Sequence, residues 1–515
     1  MRFSQHPIIK GTFILTFVGF LCKILGFFYK IFLSNIIGAE GIGIYQLVFS
    51  IHALVYALTT AGMQLAISRC CAAAFSSSDT RKSSHYFYGG FLFSTLFSSL
   101  ISIVLYQNTE FLCTYVLREE RCAPLLLPMI FSIPFGCAHG CINAWYFSRQ
   151  KTEVPALSQL LEQLVRIASS YGIYLYFLQK SIAPAPTLAA WGIFFSELAA
   201  MFFSLASLFF RSKLENIRYL SINQMKSCIL DLFKLSIPIT GNRLSLTLLQ
   251  SLESILLPIS LQSFGLSSSE SMQLYGVLTG MALPLILFPS AITGSVSMML
   301  LPSVASQQAS GDTQKLKSTT ESTIKYCFLM GIFISGIFFS FGDAMGDTLF
   351  HNQDAGILIR NFALLCPLIY LGGTLSSILN GLGCTTLCFI QNMAGLSIRI
   401  LFVVFGIPNF GIRGYFIGLF LSQFISLLLC LRFIETKISF SFLFGQWIVF
   451  PTAAMILSVM TGTHLFDFFI KVTSLPLLLL LVFTCIFCFI AYFVLLYCMG
   501  SWENEIHQHF KSENS

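Results

Sequence analysis

The residues best suited to chemistry in this sequence are ionisable side chains that interrupt long apolar stretches. These stretches are long enough to cross a membrane, where a cation facing lipid near the bilayer centre costs about 2.5–3.5 kcal/mol. The six cations concerned would together cost about 15–20 kcal/mol, more than the roughly 5–15 kcal/mol by which a protein is stable. They must therefore line a wet cavity or pair with one another. The ionisable residues are Lys23, Lys30, Glu162, Arg166, Glu197, Lys234, Arg243, Glu253 and Arg399.

Five cations are candidates for contacting an anionic substrate. Lys23 and Lys30 are seven residues apart, so they lie on one face of a helix, and neither has an acidic residue within four positions. Arg243 and Arg399 are further candidates for lining a cavity. Arg69, at the end of the second apolar stretch, fits either a cavity mouth or a membrane interface. A structural ion pair between helices is the alternative for Lys23, Lys30, Arg243 and Arg399.

The remaining ionisable residues have other interpretations. Glu162 and Arg166 are four apart on one helix face, so they can neutralise each other. Lys234 lies near the start of its apolar stretch and can extend its amine to the membrane interface. Glu253 and Glu197 are candidates for proton or sodium coupling.

Phosphate is the anion that such fixed cations suit best, because arginine offers a planar fork and lysine a point charge. A lipid pyrophosphate could place its head in a wet cavity and keep its tail in the bilayer. Neither a cofactor nor a metal is expected, since the sixteen cysteines and eight histidines show no metal-ligand spacing. A sodium or proton gradient, or the membrane potential, would drive the process.

The elements that must position these residues are membrane-spanning helices. The chain has 515 residues, of which 56% are hydrophobic and only 10% charged, and its mean hydropathy is +0.79. Lipid must be its solvent, and in lipid a helix satisfies every backbone group within one segment. The sequence predicts an all-α integral membrane protein of about fourteen spans, near 11–34, 43–69, 86–106, 122–147, 154–178, 186–210, 228–260, 271–304, 322–341, 356–381, 385–407, 411–432, 443–462 and 472–499.

The distribution of charge predicts an orientation and excludes one class of partner. Basic residues are concentrated in alternate loops, which by the positive-inside rule places both termini in the cytoplasm. The net charge of +7 is spread singly between apolar runs, without the basic stripe that a nucleic-acid-binding protein needs. We expect the lipid bilayer as a partner and no nucleic acid.

A weak internal repeat predicts the domain organisation. Tyr45 and Gln46 are followed by Ala61 and Gly62 much as Tyr275 and Gly276 are followed by a Thr-Gly pair at 293–294. Two six-helix lobes that rock about a central site would account for this pattern. The predicted parts are an N-terminal lobe (1–210), a cytoplasmic linker (211–227), a C-terminal lobe (228–432) and two additional spans with a short tail (433–515).

Several motifs carry a resemblance to a known family. KGTFILT (10–16), KILGFFYK (23–30), IGAEGIGIYQL (37–47), TAGMQLAISR (60–69) and LYGVLTGMALPLILFP (274–289) resemble the stage V sporulation protein B group of polysaccharide-biosynthesis membrane proteins. That group is part of the multidrug/oligosaccharidyl-lipid/polysaccharide (MOP) exporter superfamily, which also contains the lipid II flippases.

The resemblance implies two six-helix lobes around a V-shaped cavity, alternating access and no ATPase. It also implies that Lys23 and Lys30 contact a lipid-linked pyrophosphate. Lipid II flippases similarly carry a basic residue on the eighth helix, whereas 274–304 contains none, so Arg243 on the seventh would have to substitute.

Three functional classes follow from these observations. The first is a flippase that moves an undecaprenyl-pyrophosphate-linked glycan across a bacterial cytoplasmic membrane, acting as a monomer. The second is an ion-coupled drug or small-molecule exporter of the same fold, against which the excess of intramembrane cations argues. The third is a membrane enzyme or a scaffold, and the sequence contains no HExxH, GxSxG or Walker A motif to support an enzyme.

Overall fold

The computed structural model describes residues 7–211, 222–473 and 475–500. All regular elements in these ranges are helices and none is a strand. This agrees with the prediction of an all-α protein, because apolar runs without water can satisfy their backbone only within a helix. Most of the predicted linker (211–227), the first six residues and the tail from 501 lie outside the described residues.

The chain forms two compact units, and the first contains Met1–Gly276 with Val403–Asn409. Its long helices follow the first seven predicted spans. A π-helical segment, Ala57–Ala61, joins α1 to α2, and a 3-10 turn, Glu120–Cys122, precedes α5. The helices are α1 (Pro7–Tyr56), α2 (Gly62–Ser76), α3 (Thr80–Gln107), α4 (Thr109–Phe111), α5 (Ala123–Ser148), α6 (Glu153–Gln179), α7 (Thr187–Arg211), α8 (Ile222–Ser263) and α9 (Ser268–Gly276).

The second unit contains Val277–Phe402 with Phe410–Ser515. Short π-helical segments, Val277–Ala282, Phe402–Gly406 and Gly445–Val449, interrupt its helices, and a 3-10 turn, Ala363–Leu365, follows α13. The helices of this part of the chain are α10 (Leu283–Leu287), α11 (Ser290–Ala309), α12 (Thr313–Phe350), α13 (Gln353–Phe362), α14 (Cys366–Gly381), α15 (Thr385–Leu401), α16 (Ile407–Phe410), α17 (Ile412–Glu435), α18 (Phe450–Val472) and α19 (Leu477–Cys498). Of these, α16 up to Asn409 belongs to the first unit, as do residues 403–406 of the π-helical segment before it.

Eleven helices in the described ranges are long and apolar enough to cross a membrane, or twelve if the pair bent by 58° near 288–289 is one span. The exact count of about fourteen stays a prediction. The stretch Phe13–Ser76 is 64 residues long, which at ~1.5 Å per residue is roughly three times the ~30 Å thickness of the hydrocarbon core. It breaks at Gly38, whose φ of 70° is left-handed. This stretch covers two of the predicted spans. The predicted span at 154–178 corresponds to α6, which carries the charged residues Glu162 and Arg166.

The boundary between the two units lies after Gly276, because α8 and α9 pack with the helices of the first unit. The two compact units are defined by residue contacts within one conformation, whereas the lobes of a transporter are the groups of helices that move together during its cycle. The predicted lobes at 1–210 and 228–432, and the additional segment 433–515, therefore stay a prediction.

The interior of the first unit is built around α5. Trp145 is fully buried and packs with Phe75 and Phe87. Small residues let the helices approach closely, as helices in lipid require. A Cβ at Gly62, for example, would lie 2.6 Å from the Ser236 carbonyl oxygen. This packing holds the polar faces of α1, α6, α7 and α8 in fixed positions.

The second unit has its own core. Leu375, Ile378 and Leu379 of α14 are buried against residues of α12 and α17. The C-terminal helix α19 joins this unit through Tyr492, whose hydroxyl donates a hydrogen bond to the Leu329 carbonyl at 3.0 Å. The last two helices are thus integral to this unit.

Candidate functional site: a charged cavity in the first unit

A cavity of about 950 Å³ opens among five helices of the first unit. Residues spaced three or four apart supply its polar wall, because such spacing places side chains on one helix face. On α8 this spacing joins Arg243, Thr247 and Gln250. The polar lining residues are His52 and Tyr56 of α1, Gln64 of α2, Arg166 of α6, Glu197 of α7, and Asn242, Arg243, Thr247 and Gln250 of α8.

Arg166 is held by two partners beside this cavity. Its Nη2 pairs with Glu162 Oε1 one turn earlier on α6, as the sequence predicts. Its Nε donates a hydrogen bond to Ser196 Oγ on α7 at 3.4 Å. Glu162 therefore neutralises this guanidinium locally. Arg243, also in the wall, is exposed, and no acidic side chain in the described ranges forms an ion pair with it.

A second charged pair lies between α5 and α7. His139 Nδ1 is 3.2 Å from Glu197 Oε2, and the two residues are only 7% and 8% exposed. Gly136, one turn before His139, makes room for the carboxylate, because a Cβ there would lie 2.9 Å from Glu197 Oε2. The absence of a side chain at position 136 therefore leaves the space that the Glu197 carboxylate occupies.

Glu162 belongs to the same cluster. One ligand atom each from His139, Glu162 and Glu197 lie within 4.8 Å of one another. A histidine nitrogen and two carboxylate oxygens form a donor set that suits a transition metal. Arg166, already paired to Glu162, adds a positive charge that disfavours a divalent cation.

A smaller cavity of about 440 Å³ borders the other side of this pair. It is lined by His139 and Asn143 of α5 and by Ser68 of α2, and it shares Tyr56 and Gln64 with the larger cavity. His139 lines the smaller cavity and Glu197 the larger one. The short contact between the two side chains therefore bridges the two cavities.

The structure brings together only some of the residues predicted for the site. Arg243 and Glu197 both line the larger cavity. Lys23 is exposed and Lys30 half-buried on α1, and neither lines the two cavities described above. Arg69 is exposed on α2. The roles assigned to these residues stay predictions.

Two further predicted residues lie elsewhere. Glu253 is buried on α8, at 6% exposure, outside the lining of either cavity. Arg399 is half-buried on α15 in the second unit. Their predicted roles in ion coupling and in substrate contact also remain untested.

Sequence reasoning missed two histidines. His52 Nε2 lies 3.0 Å from Ser132 Oγ, and its ring stacks between Phe49 and Tyr56. His139 pairs with Glu197. Both lie inside apolar runs, as the lysines and arginines of the predicted site do. An uncharged imidazole, however, does not carry the large free-energy cost of a charge in the membrane, so the sequence offers no reason to single these residues out.

These features define a class. A bundle of apolar helices that encloses charged side chains around a polar cavity is typical of a membrane transport protein. The chain belongs to the polysaccharide biosynthesis protein family, whose model matches residues 8–308.

Comparison with known proteins agrees with this membership. Stage V sporulation protein B of Bacillus subtilis (strain 168) is 25% identical over 415 residues, which cover 80% of each chain. The resemblance to this group is therefore confirmed.

Two solved structures share the fold. A lipid II flippase in an inward closed conformation matches with a TM-score of 0.73 and 13% identity, covering 96% of this chain and 100% of the flippase. An inward-facing multidrug resistance MATE family transporter of the MOP superfamily matches with a TM-score of 0.62 and 17% identity, covering 81% of this chain and 94% of the transporter. The all-α membrane fold is thus confirmed, and the two matched structures are those of a flippase and a transporter.

Proposed function

We propose that this protein is a flippase that moves an undecaprenyl-pyrophosphate-linked glycan across the bacterial cytoplasmic membrane by alternating access. The observation that carries the proposal is the exposed Arg243 in the wall of the larger cavity, in a chain of the polysaccharide biosynthesis family. The relatives named as a sporulation protein and a lipid II flippase support a lipid-linked precursor of peptidoglycan or polysaccharide.

The electrostatics of the cavity favour an anionic head group. Glu162 neutralises Arg166, and His139 contacts Glu197, so Arg243 is the guanidinium left to meet a phosphate. A guanidinium binds phosphate through two parallel hydrogen bonds. The volume of about 950 Å³ is in the range of pockets that hold small ligands, about 300–1,000 Å³, which leaves room for a pyrophosphate and the first sugar.

The other cations act at further stages of the cycle in this proposal. Lys23 and Lys30 share a face of α1, and they contact the pyrophosphate with Arg69 as the head group crosses. Arg399, in the second unit, contacts it at another stage. The undecaprenyl tail stays in the bilayer. The protein acts as a monomer with both termini in the cytoplasm, and an ion gradient or the membrane potential drives the cycle.

The test is lipid flipping by the purified protein in liposomes, with fluorescently labelled lipid II as the probe. We expect Arg243→Ala to lose activity, because removing one partner of a desolvated charged contact costs about 2–5 kcal/mol, or about 30-fold or more in rate. Arg243→Lys should keep part of the activity, since it retains the charge. Lys234→Ala is the matched control, because Lys234 lies on the same helix with its side chain 81% exposed.

Wild-type flipping by Arg243→Ala would contradict the proposal. The second candidate function, an ion-coupled exporter, is favoured by the acidic Glu197 in the cavity wall and by the fold shared with a multidrug transporter. An exporter would extrude a cationic dye such as ethidium, and Glu197→Gln would abolish that export while Arg243→Ala would spare it.

A further inference from the structure

The contact between His139 and Glu197 links the walls of two adjacent cavities, which also share the lining residues Tyr56, Ala61, Gln64 and Leu65. His139 lines the smaller cavity and Glu197 the larger, with 3.2 Å between Nδ1 and Oε2. Both residues are buried, at 7% and 8% exposure. A hydrogen-bonded imidazole and carboxylate placed in this way can pass a proton from one cavity to the other.

The net charge of the residues around the pair becomes zero when the pair binds one proton. With Arg166 positive and both Glu162 and Glu197 ionised, a neutral His139 gives the cluster a net charge of −1. Protonating His139 brings the net charge to zero. A cluster that borders two cavities inside the protein can alternate between these two states at modest cost, because neither state leaves a large unbalanced charge.

Titratable groups face the pair from α1, α5, α6 and α8. Glu162 and Arg166 face it from α6, His52 and Tyr56 from α1, and Cys137 from α5 itself. The cation of Arg243 lines the same cavity from α8. His52 is hydrogen-bonded to Ser132, whereas His139 is in contact with the Glu197 carboxylate, so the imidazole of His139 is the natural carrier of the added proton.

We propose that His139 and Glu197 form a proton-exchange site that carries one proton between the two cavities and so couples transport to a proton gradient. The coupling rests on the proposed transport function, whereas the exchange of the proton does not. A metal ion is the less suitable occupant of the cluster, because Arg166 is already paired to Glu162.

The transfer conserves one proton. The imidazole takes a proton from water in the smaller cavity and becomes an imidazolium. The Nδ1–H bond then breaks while an O–H bond forms at Glu197 Oε2, leaving a neutral imidazole and a neutral carboxylic acid. The acid releases its proton to water in the larger cavity, which restores the carboxylate. The imidazole is left with its hydrogen on Nε2, and exchange of this hydrogen with water returns it to the Nδ1–H form for the next transfer. The net result is the movement of one proton from one cavity to the other.

The direct test is pH-difference infrared spectroscopy of the full-length protein in liposomes, in water and in deuterium oxide. We expect imidazolium and carboxyl bands that follow pH in the wild type and are lost in both His139→Gln and Glu197→Gln. Glu110→Gln and His464→Gln, at exposed positions, are the matched controls and should retain the bands. Thermal melting of each variant identifies any loss of folding, and Glu197→Asp, which keeps the carboxylate, should preserve a shifted carboxyl band.

The second arm measures lipid II flipping under an imposed pH gradient. We expect the gradient to accelerate flipping in the wild type and not in His139→Gln. If the wild type does not flip the probe but the infrared bands of the pair are present, the flippase proposal fails and the proton site stands. Unchanged infrared bands in folded Glu197→Gln would overturn the proton site, as would calorimetric binding of Zn²⁺ that His139→Gln abolishes.

Discussion

His139 and Glu197 are 58 residues apart in the chain and 3.2 Å apart in the fold. At the scale of single residues, the first unit holds charged side chains of its interior in such pairs, as it does with the half-buried Glu162 and Arg166. Each pair depends on neutral neighbours that leave space for it. Gly136 is the clearest of these, since it faces the carboxylate of Glu197.

Replacing Gly136 should therefore cost stability. A Cβ at this position would lie 2.9 Å from Glu197 Oε2 and 3.0 Å from the Tyr56 ring, and overpacking of this kind typically costs about 1–3 kcal/mol. We expect Gly136→Ala to lower the thermal midpoint of the purified protein and to alter the infrared bands of Glu197.

Gly172→Ala is the control for this substitution. Gly172 lies inside α6 with nothing within 4 Å of an added Cβ, and alanine in a helix is favoured over glycine by about 0.5–1 kcal/mol. This variant should melt at or above the wild-type temperature. Equal midpoints for the two variants would mean that the site tolerates the methyl group.

At the scale of elements, a network of charges ties three segments of the first unit together. Arg121, in the 3-10 turn before α5, contacts both oxygens of Glu119 through Nε at 2.7 Å and Nη2 at 2.9 Å. Its Nη1 reaches Glu40 of α1 at 2.6 Å, just after the break at Gly38. Ser268, at the start of α9, donates to Glu119 at 3.4 Å. The break in α1 is thus tied to the starts of α5 and α9.

This network predicts a pH dependence of stability. The hydrogen-bonded guanidinium of Arg121 lowers the pKa of Glu119 below its ordinary value, which is about 4.3. A lowered pKa in the folded state contributes stability that is fully present above the ordinary pKa and is lost as pH falls through the folded pKa. The midpoint of thermal unfolding should therefore fall as the pH is lowered below about 4.3.

Glu119→Gln should melt lower at neutral pH and should lose less stability on acidification, because it has no carboxylate to protonate. Glu110→Gln, at an exposed position nearby, should follow the wild-type curve. Parallel acid profiles for the wild type and Glu119→Gln would show that the network contributes no pH-dependent stability. The measurement is thermal unfolding of the protein in detergent across the acid range.

At the scale of the whole molecule, the fold of a lipid II flippase extends over 96% of this chain. The two compact units differ in that the first contains both cavities of the candidate site. Orientation in the membrane is a property of the whole molecule. It can be tested directly on α12, because this is a single 38-residue helix.

We expect the two ends of α12 to face opposite sides of the membrane. Gln308, in the last turn of α11 just before it, should be cytoplasmic and Asp347, in the last turn of α12, extracytoplasmic, by the positive-inside rule. Both residues are exposed. In a background without other cysteines, an impermeant thiol reagent should label Asp347→Cys in intact cells and Gln308→Cys only after permeabilisation. Labelling of both positions from outside would contradict the predicted orientation.

The all-α membrane class and most of the helices could be predicted from the sequence. Apolar runs with few charges leave a helix as the only structure that satisfies the backbone in lipid, and this argument needs no knowledge of neighbouring helices. Glu162 and Arg166 were also predictable as a pair, because a spacing of four on one helix brings side chains together.

Only the tertiary structure decided which charged residues meet across helices. Whether Arg243 and Glu197 share a cavity depends on how α7 and α8 are rotated about their axes, and hydropathy determines the length of a span but not its rotation. The pairing of His139 with Glu197 depends further on the glycine at 136, which permits α5 and α7 to approach. Helix packing in lipid depends on such small residues and close contacts. These contacts form between two helices, so they cannot be predicted from the sequence of one apolar run.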